Sequence, residues 1–584
     1  MSRFFSSMSH YFSFALCSIL LVACDQQASA PADATATNST ATPESSNTVP
    51  SMTEILTHFN RDEVAADVMK HTKVLASDEF EGRAPATKGE ELTIAYLEKE
   101  FKDLGLQPGN NGSYFQTVPV TEITTDPNTT LHLQGGKYSV DLAYGKDMMV
   151  GTQQQIESVA VKDSDLVFVG FGIVAPERNW NDYAGIDVKG KTVVILVNDP
   201  GYHTQDPALF NGNAMTYYGR WTYKYEEAAR QGAAAALIVH ETGAAGYGWD
   251  VVSNSWSGPQ ITLKADNLNA DKNKIEGWLT LDSAKNLFSA VGMDYETMKK
   301  AATQSGFKAV PMGELKASVA ISNSIRHSES QNVIAILPGS DRPDETIVYT
   351  AHWDHLGKNP NLEGDQIFNG AIDNATGTAG LLALARQFTE YPEPPKRTIV
   401  FLAVTAEESG LLGSQWYGEN PIYPLSKTVA NINMDALGMW GEMKDIVVIG
   451  YGSSELEKYL QAAADATGRY LSPEPTPERG YFYRSDHFNF AKHGVPALYA
   501  EGGNDHIEKG KSYGEEKSQE YTDKAYHQPA DEFDPNWDPS GAVADLALHF
   551  AVGYTLSQES RFPNWYEGNE FKGIRDQSQA VRAE

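Results

Sequence analysis

Up to about residue 312 the hydrophobic runs of this chain are short; beyond that point they lengthen and alternate with amphipathic stretches. Residues 165–169 and 192–197 are apolar bursts bounded by Gly and Asp, the pattern of short strands between turns. Residues 224–231 predict a helix that feeds the apolar run 233–239. Earlier, Ile94, Leu97 and Phe101 share one helical face that Thr87-Lys88-Gly89-Glu90 opens and Gly105 closes. After 313, strands are predicted at 333–337, 346–351, 398–404, 429–434 and 497–500, with helices at about 375–390, 453–467 and 540–557. Long apolar strands alternating with such helices imply an α/β fold, a mixed central sheet with helices on both faces.

The N-terminus has a different texture. Arg3 and His10 precede an apolar run at 11–23 that is shorter than the roughly 20 residues needed to span a bilayer. It ends in Leu21-Val22-Ala23-Cys24, which resembles the lipobox of bacterial lipoproteins. That resemblance implies a signal peptide at 1–23, lipidation at Cys24, and an exported protein held at the membrane by acyl chains alone, facing the periplasm or the cell exterior. An ordinary secretory signal with a chance cysteine is the plainer alternative. Residues 24–51 are mostly Ala, Thr, Ser, Pro and Asn and predict a disordered tether.

Charge and cysteine content narrow the chemistry. Acidic residues outnumber basic ones 77 to 46, a formal charge of -31, which argues against nucleic acid as a partner. The only other cysteine, Cys17, lies in the signal run, so the mature chain offers no thiolate pair. A metal site must then use imidazole and carboxylate, a set that suits zinc, manganese or cobalt at an open catalytic centre.

Such residues collect where the predicted strands end, the usual place for functional groups in an open α/β sheet. The strand at 346–351 runs into His352-Trp353-Asp354-His355, that at 398–404 into Thr405-Ala406-Glu407-Glu408, and that at 429–434 into Asp435. Gly370-Ala371-Ile372-Asp373-Asn374 opens a helix between the first two, and Tyr526-His527-Gln528-Pro529-Ala530-Asp531 follows late in the chain. Alone, a strand-terminal Asp is a turn or cap, and paired glutamates are solvated surface. The His-x-Asp pair is more telling, because period-two spacing places His352 and Asp354 on one side, where a carboxylate can orient an imidazole.

In order and spacing these motifs resemble the co-catalytic dizinc aminopeptidase family, which also contains glutamate carboxypeptidase and the transferrin receptor. The resemblance covers about 52–135 and 313–558. It implies the zinc-exopeptidase fold, peptide substrates and two zinc ions held by His352, Asp373, Glu408, Asp435 and His527, with Asp373 as the bridge. It also implies Glu407 as general base, Asp354 as the acid behind His352, and Tyr526 as a donor to the developing oxyanion. Arg484, in Arg484-Ser485-Asp486, falls in a substrate-binding loop, and the Asp373–Asn374 bond is expected to be cis. Between the two parts, Phe171-Gly172, Asp182-Tyr183-Ala184-Gly185, Val188-Lys189-Gly190-Lys191 and Glu226-Glu227-Ala228-Ala229 resemble a β-rich protease-associated domain. The implied division is a first peptidase part at 52–139, the inserted domain at 140–312 and the catalytic part at 313–584. A carboxypeptidase of the same fold and a catalytically inactive, surface-tethered binding protein remain as alternatives.

Overall fold

The computed structural model describes residues 49–583; the expected signal peptide, Cys24 and the expected tether up to Thr48 lie outside the described residues. Four parallel strands form the middle of the main sheet, in the order Arg397–Val404, Arg342–His352, Thr428–Asn433 and Ala497–Glu501. Antiparallel strands flank them, the end of Val310–Leu337 beside the first and Asp445–Val448 beside the last, so the sheet is mixed. Every residue of Arg397–Val404 and Thr428–Asn433 is buried, as the unbroken apolar runs require of strands covered on both faces.

Alternation along the strands sorts the side chains into two layers. Ile347, Tyr349, Ile399, Phe401 and Ala403 pack against helices Arg61–Leu75, Lys88–Asp103, Gly377–Glu390 and Ser540–Gln558. Val348, Val400, Leu402 and Val404 face the other way, onto Tyr417 of Leu412–Glu419 and Phe490 of His487–Lys492. Because the parallel strands run the same way, their C-terminal ends open together on one rim, and the acids and histidines gather there.

A second sheet has its own core. Its parallel strands Ser158–Phe168, Thr192–Leu196, Ala235–Val239 and Ile275–Leu279 lie side by side in that order. Helices Trp221–Arg230, Leu281–Ala290 and Tyr295–Ala302 pack on it. The two sheets share the 28-residue strand Val310–Leu337. Its first half pairs with Ser158–Phe168 and Thr130–Gly135, its second half with Phe115–Thr125 and Arg397–Val404. The seam read from the sequence at 312 therefore falls inside a strand. Likewise 139–140 falls within Tyr138–Ala143, which forms a hairpin with Thr130–Gly135. A strand that serves two sheets carries its alternation through the junction, leaving no break in texture to read.

Candidate active site

His352 closes its strand with Nε2 3.2 Å from Asp435 Oδ1 and 3.3 Å from Asp373 Oδ1. Its other nitrogen, Nδ1, is 3.1 Å from the Asp354 carbonyl, a contact that fixes the ring when that nitrogen carries the proton. The Asp354 carboxylate turns instead to the next strand end, accepting the amides of Glu407 at 3.1 Å and Glu408 at 3.4 Å. One buried acid thus ties the two loops together.

Asp373 lies between two histidines, with Oδ2 3.1 Å from His527 Nε2 on the side away from His352. Its turn is held from below by Asp531, which accepts the amides of Ile372 at 3.0 Å and Asp373 at 3.1 Å. The Asp373–Asn374 peptide is cis. Asn374 Oδ1 accepts from Gly377 and Ala436, joining this turn to the loop that carries Asp435. Asp435 in turn accepts the Ser485 hydroxyl at 2.6 Å, and its amide donates to Glu501 at 3.1 Å.

Glu408 stands 3.2 Å from His527 Nε2 through one oxygen and 2.7 Å from His355 Nδ1 through the other. The His355 contact is close but out of line for a hydrogen bond. Both ring nitrogens of His355 and that Glu408 oxygen are buried without a hydrogen-bond partner. The donor atoms accordingly form two groups, His352, Asp373 and Asp435, and His355, Asp373 and Glu408, each with ligand atoms within 4.8 Å of one another and both containing Asp373. Buried, unpartnered imidazole and carboxylate converging on one point fit a divalent cation, since without one they bear a desolvation cost that nothing offsets.

Electrostatics agree. Burial opposes charge on His352, yet Asp435, Glu407 and Asp373 outweigh it and hold its pKa well above the ordinary imidazole value. Burial, reinforced by Asp435, Glu408 and Asp486, pushes Glu407 well above the usual carboxylate range against the pull of His352. Asp354 is pushed up to about 7 by burial. Glu407 Oε2 is 4.0 Å from His352 Nε2, beside the first donor group but outside it. Tyr526 stacks on His527, ring centroids 3.9 Å apart. Arg484 follows the turn Tyr481–Tyr483, next to Ser485.

The rim thus brings together His352, Asp354, Asp373, Glu407, Glu408, Asp435 and His527, with Tyr526 alongside. His355, Asp531, Ser485 and Arg83 belong to it as well. Arg83 is wholly buried and donates to the carbonyls of Trp353, Leu75 and Gly370, each at 2.8 Å, and to that of Asn369, lacing the His352 and Asp373 loops. His355 and Asp531 lie inside motifs visible in the sequence, three residues from His352 and four residues from His527. Nothing near Arg83 in the sequence marks it.

Residues 332–551 match the sequence profile of Peptidase family M28. That stretch of the chain is similar to family M28. All the donor residues of both groups lie within it. Over 107 residues, 18% of this chain, the chain is 41% identical to a "Probable zinc metalloprotease" of Pyrenophora teres f. teres, 22% of which is covered. It is 34% identical over 122 residues to aminopeptidase YwaD of Bacillus subtilis, covering 20% of this chain and 24% of that one. Aminopeptidase Y of Saccharomyces cerevisiae is 25% identical over 304 residues, 51% of each chain. The chain therefore spans from about a fifth to about half of the length of these relatives. Among solved structures, the aminopeptidase from Aneurinibacillus sp. strain AM-1 aligns over 88% of this chain and 97% of its own, at 19% identity and a TM-score of 0.45.

Proposed function

We propose that the protein is a zinc-dependent aminopeptidase, a hydrolase that removes N-terminal residues from peptides. The observation that carries this reading is the pair of donor groups sharing Asp373, with Glu407 beside them and bound to neither. His352, Asp373 and Asp435 would hold one zinc ion, and Asp373, Glu408 and His527, with His355, the other. Bound there, zinc supplies Lewis acidity toward the scissile carbonyl. Glu407 takes the proton of the attacking water and returns it to the leaving amine. Tyr526 donates to the oxyanion that develops on the carbonyl. Asp354 holds the Glu407 and Glu408 amides in place while these charges move.

The names of the relatives support this choice within the fold, since aminopeptidases and a zinc metalloprotease are among the proteins this chain is similar to. A carboxylate-rich hollow also favours a free α-ammonium, whose capture fixes the first peptide bond over the base and turns binding energy into orientation. The test is a matched pair of aminoacyl anilides, one free and one N-acetylated, given to the zinc-loaded protein. The free substrate should be cleaved and the acetylated one hardly at all. Equal rates, or release of C-terminal residues, would reject aminopeptidase action in favour of a carboxypeptidase; no bound zinc and no turnover would leave a binding protein.

The same proposal extends to export, with Cys24 acylated, residues 1–23 removed, and the enzyme tethered to a membrane facing outward, the inserted domain being of the protease-associated kind. Cys24→Ser should then move the protein from the membrane fraction to the soluble one.

A further inference from the structure

Just short of the rim, polar residues interrupt the apolar runs of two neighbouring strands. Arg342–His352 carries Thr350, and Thr428–Asn433 carries Asn431 and Asn433, all three wholly buried. The strands pair in parallel, Asn431 opposite Val348 and Asn433 opposite Thr350, so alternation turns all four side chains to one face of the sheet. Two amides in the middle of a covered sheet are costly unless their hydrogen bonds are met. Packing alone gives no reason for them, since an aliphatic side chain at each position would match Val348 beside it.

Their partners fix the direction of every bond. Asn431 Nδ2 lies 3.3 Å from the Val348 carbonyl, an atom that can only accept, so that end of the side chain is the amide nitrogen. The same nitrogen donates to the Thr350 hydroxyl at 3.0 Å. Thr350 therefore turns its own hydrogen away, onto Asn433 Oδ1 at 2.6 Å. With its oxygen so engaged, Asn433 presents Nδ2 to the Ser485 hydroxyl at 2.8 Å. Ser485, already an acceptor, gives its hydrogen to Asp435 Oδ2 at 2.6 Å. A one-way chain thus runs from a backbone carbonyl inside the sheet to a carboxylate of the first donor group.

The chain ends on the oxygen of Asp435 that does not face His352. Oδ1 lies 3.2 Å from His352 Nε2, whereas Oδ2 is taken by Ser485. We propose that Asn433 is a positioning residue for the metal centre: through Ser485 it keeps Asp435 Oδ2 occupied, so that this carboxylate offers a cation one oxygen and the first site keeps a coordination position open. This rests on the zinc peptidase reading and deepens it, because an open position is what a substrate carbonyl or amine needs in order to reach the ion. Thr350 and Asn431 set the Asn433 amide the right way round and touch neither donor group.

The test uses the whole protein, zinc-free and zinc-loaded, with Asn433→Leu, Thr350→Val and Thr350→Ser beside Ser485→Ala. In calorimetric titration with zinc, Asn433→Leu and Thr350→Val should weaken one of two binding steps roughly 10- to 100-fold, as for loss of a group that orients a ligand. Thr350→Ser, which restores the hydroxyl, should keep it. Cobalt(II) gives a signature that a merely structural loss does not: with Asp435 Oδ2 released to ligate, the coordination number of one ion rises and its visible absorption weakens. That weakening should appear in Asn433→Leu and Thr350→Val as it does in Ser485→Ala. In zinc-free protein the effects of Thr350→Val and Ser485→Ala on melting should be non-additive, because Asn433 joins the two. Thr350→Val, equal in shape to the native residue, decides the matter where Asn433→Leu does not fold. Unchanged zinc affinity and cobalt spectrum in Thr350→Val, additive effects on melting, or no zinc binding by the unaltered protein overturns the proposal. Zinc bound with the expected dependence on Thr350, but no anilide or peptide hydrolysed, sinks only the peptidase reading.

Discussion

Glu407 and Glu408 are adjacent in sequence but do different things, and the difference is one of direction. Glu408 points between His355 and His527, while Glu407 faces His352 from 4.0 Å and joins no donor group. Glu407→Gln should therefore keep the zinc and lower kcat by roughly 10² to 10⁴, the range of general acid-base catalysis; metal analysis beside steady-state rates checks this, and zinc lost in step with activity would make Glu407 a ligand. Asp373, common to both groups, predicts the opposite pattern. Asp373→Ala should lose metal from both positions together, seen as zinc content after dialysis. His355→Ala should weaken only the second position, by roughly 10- to 100-fold in affinity, as expected when a group that holds or orients a ligand is removed. Unchanged zinc affinity would assign the His355 ring to packing.

At the scale of elements, the site depends on loops pinned to one another rather than on any single strand. The helix Lys511–Lys524 and the segment after it bring His527 and Asp531 back over the turn at Asp373, where Asp531 receives two backbone amides and the Tyr521 hydroxyl at 3.2 Å. That helix is polar on nearly every face, with Gly514 its one buried residue, so hydrophobic periodicity does not announce it. Asp531→Ala leaves the two amides buried and unpaired at about 1–3 kcal/mol each. The expected outcome is a clear fall in melting temperature together with weaker zinc retention, measured by calorimetry and metal analysis on one preparation. A fall in stability with zinc binding intact would show that the clamp serves the fold alone.

For the whole molecule, acid sensitivity follows from buried histidines that belong to neither candidate donor group. Burial is the main cause that lowers His71 and His549 to about 4 each, and His71 is further lowered by Lys70. Their folded pKa values lie below the value near 6.5 of an exposed histidine, so between about 4 and 6.5 the unfolded chain binds more protons. Stability is thus full above about 6.5 and declines as pH falls toward 4, by about 1.4 kcal/mol per pH unit for each histidine. Unfolding free energies across that range check it, and His71→Gln and His549→Gln should flatten the slope. The sequence by itself determined the strands of the main sheet and the groups at their ends, because unbroken apolar runs must be covered on both faces and His352, Glu407, Glu408 and Asp435 fall at their exits, with Asp373 in the turn that opens the helix between two of them. It left two matters to the tertiary structure. His355 and Arg83 act through contacts hundreds of residues away or across a loop, which no spacing encodes. The strand Val310–Leu337 joins two sheets because one alternation satisfies both, so the seam is a matter of pairing partners and not of composition.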